Sequence, residues 1–276
     1  MGLTETAYAK INLALHVCKR REDMFHELET LFVFLNDGDR LEALPSNRLG
    51  LELSGPCASG LEDDTSNLVL RAAHAIREHF GVSQGARILL DKRLPVAAGL
   101  GGGSADAAAT ARLLNRFWGL GATEGQLAEI IGPLGADIPA CIASRTMMGR
   151  GIGGDLAETQ LDGALSGAPM LLVNPLVACP TGPVFAGWDG QGSGALNLDN
   201  ALECRNDLLP SALALVPEIG DVLMALKAQN GARISGMSGS GATCFAVFAD
   251  EAAADEASAR IAADYPGWWQ MRGLLR

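Results

Sequence analysis

Between Tyr8 and Val17 polar and apolar positions alternate, with Ile11, Leu13, Leu15 and Val17 on one side and Lys10, Asn12, Ala14 and His16 on the other. A period of two is that of a β-strand with one face in a core, so this stretch reads as a half-buried strand that projects Lys10 and Asn12 together. Solvent at a sheet edge explains that polar face as well as chemistry does. Downstream, Leu28 to Leu35 reads as an apolar strand, Asn36-Asp37-Gly38-Asp39 as a turn, and Arg40 to Leu53 as a hairpin around Pro45-Ser46-Asn47. The period then lengthens. Leu68 to Gly81 is amphipathic behind the polar run Asp64-Thr65-Ser66-Asn67, which predicts a helix with a polar start, and Arg87 to Leu94 returns to strand. The alanine-rich stretch after Ser104 is helical by propensity. Thr123-Glu124-Gly125-Gln126 has the form of a capping box and opens a helix that stops at Gly132-Pro133.

Asp137, two residues before Pro139, stands where a helix cap would stand. The glycine-rich run Gly149 to Gly154 predicts a turn, with a domain boundary a little beyond it, dividing the chain into 1–157 and 158–276. In the second part Met170 to Val177 reads as a strand broken by Asn174-Pro175, followed by a loop carrying Thr181 and Phe185 and a mobile stretch from Gly187 to Gly194. Asn206 to Asn230 is helical in two pieces divided at Pro217. A second glycine cluster, Ser235 to Ala242, leads into the strand Thr243 to Phe248. An alanine-rich helix (Asp250 to Asp264) and a last strand (Trp268 to Leu275) complete the pattern.

Composition narrows the class. The 276 residues lie at the size where single cores split into two domains. A net charge of −11 opposes nonspecific binding to nucleic acid or to anionic membranes, so an anionic ligand must be held locally. The six cysteines are widely spaced and form no C-x-x-C pair, which predicts reduced core thiols rather than a zinc or redox site. No apolar signal-peptide core occurs near the start, and no run reaches the ~18 apolar residues of a membrane span. These features predict a cytoplasmic protein.

The chemistry concentrates at Pro95-Val96-Ala97-Ala98-Gly99-Leu100-Gly101-Gly102-Gly103-Ser104-Ala105-Asp106. The glycines lack the Cβ atoms that keep a ligand from the backbone, and the loop empties into a helix N-terminus whose N–H groups attract anions. A glycine-rich connection with Ser104 as an ordinary N-cap is the plain alternative. No Gly-Lys dipeptide exists for a Walker loop, and a G-x-G-x-x-G read from Gly99 ends on Ser104. Asp106 would repel an anion unless it caps, points away or meets a metal ion.

Three segments in order, Ala9-Lys10-Ile11-Asn12-Leu13, Pro95 to Asp106 and Gly236-Met237-Ser238-Gly239-Ser240-Gly241-Ala242, resemble the motifs of the GHMP kinases, which include galactokinase, homoserine kinase, mevalonate kinase and phosphomevalonate kinase. The resemblance covers nearly the whole chain. It implies an α+β fold of two domains, the N-terminal one like the second domain of ribosomal protein S5 and the C-terminal one ferredoxin-like. Further matches, Arg21 to His26 with Leu31-Phe32, Asp91-Lys92-Arg93-Leu94-Pro95, Leu134 to Pro139 and Thr181 to Phe185, are similar to the branch acting on a cytidylyl methylerythritol. They imply an ATP- and Mg²⁺-dependent phosphorylation of that small molecule's C2 hydroxyl.

By the same resemblance Asp137 accepts or orients the hydroxyl proton, and Lys10 offsets charge on the transferring group. Asn67, Lys92, Pro95, Gly99, Leu100, Gly101, Gly102, Gly103 and Ser104 would hold ATP. His26 would read the cytosine edge between the rings of Phe25 and Phe185, with Asn12, Thr181 and Gly239 on the rest of the substrate. No metal ligand is assigned. The family's usual Gly-Tyr-His is Met24-Phe25-His26 here, which keeps a ring and loses a phenolic hydroxyl. The expected partner is the small-molecule substrate, with neither nucleic acid nor membrane, and the expected assembly a monomer or weak homodimer. Rival readings are another GHMP kinase, of homoserine or mevalonate type, and a catalytically silent ligand sensor of the same fold.

Overall fold

A computed structural model describes residues 2–23, 25–159, 165–197 and 201–276. The chain forms two compact units. The first holds the residues up to Ala9, Gly38–Val96 and Gly101–Ser144; the second holds Lys10–Asp37, Ala97–Leu100 and Arg145–Arg276. Two long strands, β1 (Leu3–Arg20) and β2 (His26–Ser46), contribute to both.

In the first unit, Arg40–Ser46 of β2 runs antiparallel to β4 (Gly85–Asp91), and β3 (Gly50–Ser54) lies parallel to β4 on its other side. The expected hairpin over Arg40–Leu53 is therefore absent, because β4 is inserted between its two arms. The expected turn at Asn36–Asp39 is also absent, since β2 continues through it. Gly38 serves close approach instead: a Cβ there would overlap the Ala7 carbonyl. Asp39 is buried with charged partners, so its polarity marks an interior site rather than a bend.

Four helices cover this unit: α1 (Leu68–His79), α2 (Gly102–Phe117), α3 (Glu124–Ile131) and α4 (Ile138–Ala143). Asn67 caps α1 by accepting from Val69 N at 3.0 Å, and Thr123 with Gln126 forms the expected capping box of α3. The small side chains Ala105, Ala107, Ala108, Ala109 and Ala111 are buried, which lets α2 pack closely against α1 and α4.

The second unit contains an antiparallel sheet in the order β10 (Trp269–Leu274), β7 (Pro169–Asn174), β9 (Cys244–Phe248), β8 (Ala232–Met237). Among the described residues three helices, α5 (Thr181–Ala186), α6 (Leu209–Leu215) and α7 (Glu218–Lys227), lie in sequence between β7 and β8, the last two split by Pro217 as expected. Between β9 and β10 comes α8 (Glu251–Asp264), capped by Asp250. This is the β-α-β-β-α-β order of a ferredoxin-like unit. Its core unites Leu171, Val173, Ile219, Val222, Phe248 and Ile261 with Leu15 and Val17 of β1. In the same unit β5 (Met147–Arg150) pairs with Thr30–Phe32 of β2 and with β6 (Asp155–Glu158).

Several other expectations change. The polar side of β1 is no solvated edge, since Lys10, Asn12 and His16 are 3%, 5% and 3% exposed. Thr181–Ala186 is a short helix, α5, rather than a loop. The stretch from Gly187 to Gly194 is tied down: Gly194 O hydrogen-bonds His16 Nδ1 at 3.0 Å, and Ser193 N donates to Asp207 at 3.2 Å. Cys18 is exposed and Cys57 partly so, while the other four cysteines are buried and form no disulfide. Met24 lies outside the described residues. No helix among the described residues is long and apolar enough to cross a membrane.

Candidate active site

The glycine loop leaves β4 at Asp91 and becomes helical at Gly102, two residues before Ser104. The N-cap is Gly101, at φ 60° and ψ 25°, a left-handed conformation in which a Cβ is costly, and no side chain caps the helix. The first intrahelical bond runs from Ala105 N to Gly101 O at 2.8 Å, so the N–H groups of Gly102, Gly103 and Ser104 precede the ladder. With 16 residues of aligned peptide dipoles behind it, this end suits an anion.

Gly102 faces inward: a Cβ there would stand 3.1 Å from Lys92 Nζ. Lys92 is 2% exposed and donates to Asp39 Oδ2 at 2.6 Å and to Asp106 Oδ2 at 2.5 Å. Asp106 thus points away from the loop's outer surface, which answers the question its position raises. Burial alone would lower the Lys92 pKa, but the two carboxylates outweigh it and the net direction is upward. Pro95 is buried beside this group, and Asn67 sits at the head of α1 with Nδ2 donating to Glu62 O at 2.8 Å.

Asp137 occupies the N-cap position of α4 without making a capping bond, so its carboxylate is not spent on starting the helix. It is half-buried. Two residues earlier, a Cβ on Gly135 would stand 3.4 Å from Ser104 Oγ, which places the turn before Asp137 against the first turn of α2.

In the second unit the three motif segments meet. Asn12 N donates to Ser238 Oγ at 3.1 Å, Ser238 Oγ donates to Gly99 O at 2.8 Å, and Lys10 N donates to Leu100 O at 3.2 Å. Gly99, at φ 76°, could not carry a side chain because a Cβ would overlap the Ser238 carbonyl. Gly239, at φ 57°, faces Gly99 O and Asn12 Oδ1, with its Cβ position 3.1 and 3.3 Å away. Lys10 Nζ donates to Asn12 Oδ1 at 2.8 Å and lies 5.3 Å from the Phe32 ring centroid. Asn12 Nδ2 donates in turn to Thr30 Oγ1 at 2.8 Å. Asn12 is therefore first of all the residue that aims Lys10.

Further along the same unit His26 lies 5.1 Å from the Phe185 ring at a 41° tilt and 5.7 Å from Trp188, edge-on. Burial, and secondarily Arg20, pulls the His26 pKa down, which favours a neutral imidazole. The indole Nε1 of Trp188 is buried without a partner. Phe25 is 61% exposed. Thr181 Oγ1 hydrogen-bonds Ser240 Oγ at 3.0 Å, joining α5 to the second glycine cluster.

The sequence reading gives Thr30, Ser238, Ser240, Asn206 and Trp188 no individual role; Ser238 and Ser240 enter it only as members of the second glycine motif. Thr30 carried a visible signal, a hydroxyl inside the apolar run Leu28–Leu35. Asn206, whose Nδ2 donates to Met237 O at 2.9 Å and Gly239 O at 2.8 Å, looked only like a helix start.

Comparisons with known proteins follow this geometry. The family model described as "GHMP kinases N terminal domain" matches residues 67–145, and that described as "GHMP kinases C terminal" matches residues 193–267. The chain is 50% identical to a 4-diphosphocytidyl-2-C-methyl-D-erythritol kinase of Rhizorhabdus wittichii, covering 100% of this chain and 96% of that protein. It is 48% identical to the kinase of the same name from Sphingopyxis alaskensis, covering 99% of each. Among solved structures it resembles a 4-(cytidine 5'-diphospho)-2C-methyl-D-erythritol kinase with TM-score 0.82 at 33% identity, covering 99% of each chain. A homoserine kinase from Cytophaga hutchinsonii matches with TM-score 0.71 at 19% identity, over 99% of this chain and 94% of that one, which is a likeness of fold alone.

Proposed function

The chain belongs to the GHMP kinases, and from that membership we propose that it transfers the γ-phosphoryl group of ATP to the C2 hydroxyl of 4-diphosphocytidyl-2-C-methyl-D-erythritol, a step of the non-mevalonate route to isoprenoid precursors. One observation carries the proposal: the 50% identity to a kinase named for that substrate extends over the whole chain.

Phosphoryl transfer demands positioning and charge neutralisation more than covalent help. The N–H groups from Gly101 to Ser104 cradle the ATP phosphates, with Gly99 and Leu100 fixing the approach of the loop, Asn67 and Pro95 bordering the nucleotide, and Lys92 acting from beneath. Asp137 accepts or orients the C2 hydroxyl proton. Lys10, aimed by Asn12, offsets the charge that builds on the transferring group. The cytosine is read by His26 and stacked on Phe185, with Trp188 offering its indole N–H and Phe25 able to close from its exposed position. Thr181, Asn12 and Gly239 face the diphosphate and methylerythritol.

Mg²⁺ keeps most of its waters and takes its remaining oxygens from substrate phosphates and one or two protein groups. Ser104, whose hydroxyl does not cap α2, fits that requirement and would hold it; when bound, Mg²⁺ neutralises phosphate charge. The same proposal divides the chain in sequence order into 1–157 and 158–276 and assigns a cytoplasmic monomer or weak homodimer. A net charge of −11 supports the exclusion of nucleic acid.

The test is ADP release measured with the cytidylyl substrate, homoserine and mevalonate in parallel. Turnover confined to the cytidylyl substrate is expected. Preference for another alcohol would replace the acceptor, and activity with none of them would favour the silent sensor.

A further inference from the structure

The chemistry above uses Lys10, Asp137 and Lys92 and leaves the two buried acids around Lys92 without a task. Asp39, Lys92 and Asp106 are 0%, 2% and 3% exposed, and all belong to the first unit. Burying such a group costs more than burying apolar residues of the same volume, so packing alone does not explain it. Its connections are specific. Asp39 Oδ2 accepts from Lys92, while its Oδ1 accepts from Arg93 N at 2.5 Å and Leu94 N at 2.8 Å, the two residues leading into Pro95. Asp106 lies in the second turn of α2, and Gly102, where that helix starts, leaves room for the Lys92 ammonium. One ammonium therefore fastens both ends of the glycine loop.

The charge count is equally specific. With both carboxylates ionised the group would carry one net negative charge, and Asp106 Oδ1 is buried with no hydrogen-bond partner. An unpaired charge in the interior costs far more than an unpaired neutral hydroxyl. We propose that Lys92 and Asp106 are positioning residues that hold the two ends of the glycine loop at the spacing its N–H groups need to meet the ATP phosphates, with a proton resident on Asp106 Oδ1 keeping the three-residue group neutral. The proposal rests on the kinase reading above and adds to it what sets the loop's geometry.

The surroundings agree. Burial, and then the charge of Asp39, push the Asp106 pKa up to about 8 against the pull of Lys92. The charged groups facing Asp106 are Lys92 and Asp39. The buried residues of neighbouring α1, α3 and α4 are uncharged, including Ile76, Leu127 and Ile138. On the loop side, Cys57 donates its thiol to Arg93 O, and burial with Asp39 pushes its pKa upward, so it stays a neutral thiol. When Asp106 loses its proton, a second buried carboxylate charge confronts Asp39 across one ammonium and the fastening loosens.

The experiment is direct ATP binding by calorimetry, together with KM for ATP, KM for the cytidylyl substrate and kcat, from about pH 7 to about pH 10, a range that spans the Asp106 transition. In the wild type the ATP dissociation constant and KM for ATP should rise at least about fivefold above pH 8, a modest coupling, while KM for the cytidylyl substrate holds steady. Asp106→Asn, a neutral mimic of the protonated acid, should bind ATP as the wild type does at pH 7 and show no rise. A wild-type ATP profile that is flat, or an Asp106→Asn profile that keeps the rise, would overturn the proposal alone. If Asp106→Asn fails to fold, the wild-type profile decides. Absence of ATP binding at every pH would overturn the kinase reading and this inference with it, whereas normal ATP binding without turnover of any alcohol would overturn only the acceptor assignment.

A second readout is stability. The folded protein retains a proton that an unfolded Asp, with its ordinary value of 3.8, releases, so the wild type should lose stability as pH climbs from there toward about 8. In Asp106→Asn that part of the slope should vanish, and its persistence would count against a resident proton.

Discussion

Two buried lysines, one in each unit, are oriented by different sets of groups. Lys92 stands between two carboxylates, at 2.6 and 2.5 Å, inside the first unit. Lys10, in the second unit, is aimed by the amide oxygen of Asn12 and lies 5.3 Å from the Phe32 ring centroid. The amide oxygen and the ring face both orient that ammonium. The difference separates two uses of one residue type. The Lys92 ammonium, shared between two buried carboxyl groups, holds backbone in place, whereas the Lys10 ammonium is oriented within the first motif, where the proposed chemistry lies. Their nearly equal burial, 2% and 3%, does not distinguish them; the partners do.

Removing each charge tests the contrast. Lys92→Met leaves the Asp39 carboxylate in the interior without its counter-charge and the Asp106 acid without its donor, and should destabilise the protein by ~3–5 kcal/mol, the cost of breaking a buried pair. The readout is a lowered urea midpoint at an unchanged m-value. A loss below ~1 kcal/mol would place Lys92 with the ordinary surface pairs and dissolve the comparison. Lys10→Met should keep its urea midpoint near that of the wild type and lose ~10²–10³-fold in kcat, the scale of an electrostatic group aimed at developing charge. A midpoint as low as that of Lys92→Met would show that both lysines serve the fold. Asp137→Asn should lower kcat by at least ~10²-fold with substrate binding retained, and unimpaired turnover would remove Asp137 from its proposed role.

What the sequence made legible follows from the range of each interaction. Local signals held: the Thr123–Gln126 capping box, Asn67 ahead of α1, the break at Pro217 and the alanine-rich helix α8 depend on residues a few positions apart. Tertiary pairing did not follow from local chemistry. Asn36–Asp39 has turn composition, yet β2 runs straight through it because Gly38 lies against the Ala7 backbone and Asp39 meets Lys92 53 residues away. The Pro45-Ser46-Asn47 signal marks the end of a strand, but the insertion of β4 is invisible to a window that stops at Leu53. In the site, the motif residues were recognisable as types in order. Their relations were not: Asn12 on Lys10, Ser238 on Gly99 and Asp39 on Lys92 each require contacts that only the fold creates.

The comparison can be sharpened within the second unit, where the aromatic cluster and the Lys10 network lie apart in function. Phe185→Ala removes the ring beside His26 and should weaken the cytidylyl substrate by ~1–3 kcal/mol, as for a base on an aromatic platform. KM for ATP should stay unchanged. Equal substrate affinity would make Phe185 a packing residue of α5.

The smallest expected effect tests how far the Asn12 amide orients Lys10. Thr30 Oγ1 accepts from Asn12 Nδ2 and donates to Ala14 O at 2.7 Å, so it fixes which end of the Asn12 amide faces Lys10. Thr30→Val keeps the branched shape that β2 packs and deletes that instruction. The amide can then turn its NH₂ group toward the ammonium, and correctly aimed Lys10 becomes a smaller fraction of the population. A net hydrogen bond of ~1 kcal/mol corresponds to about a fivefold fall in kcat, with KM for ATP unaffected. If Thr30→Val loses stability and keeps full kcat, Asn12 does not depend on Thr30 for its orientation.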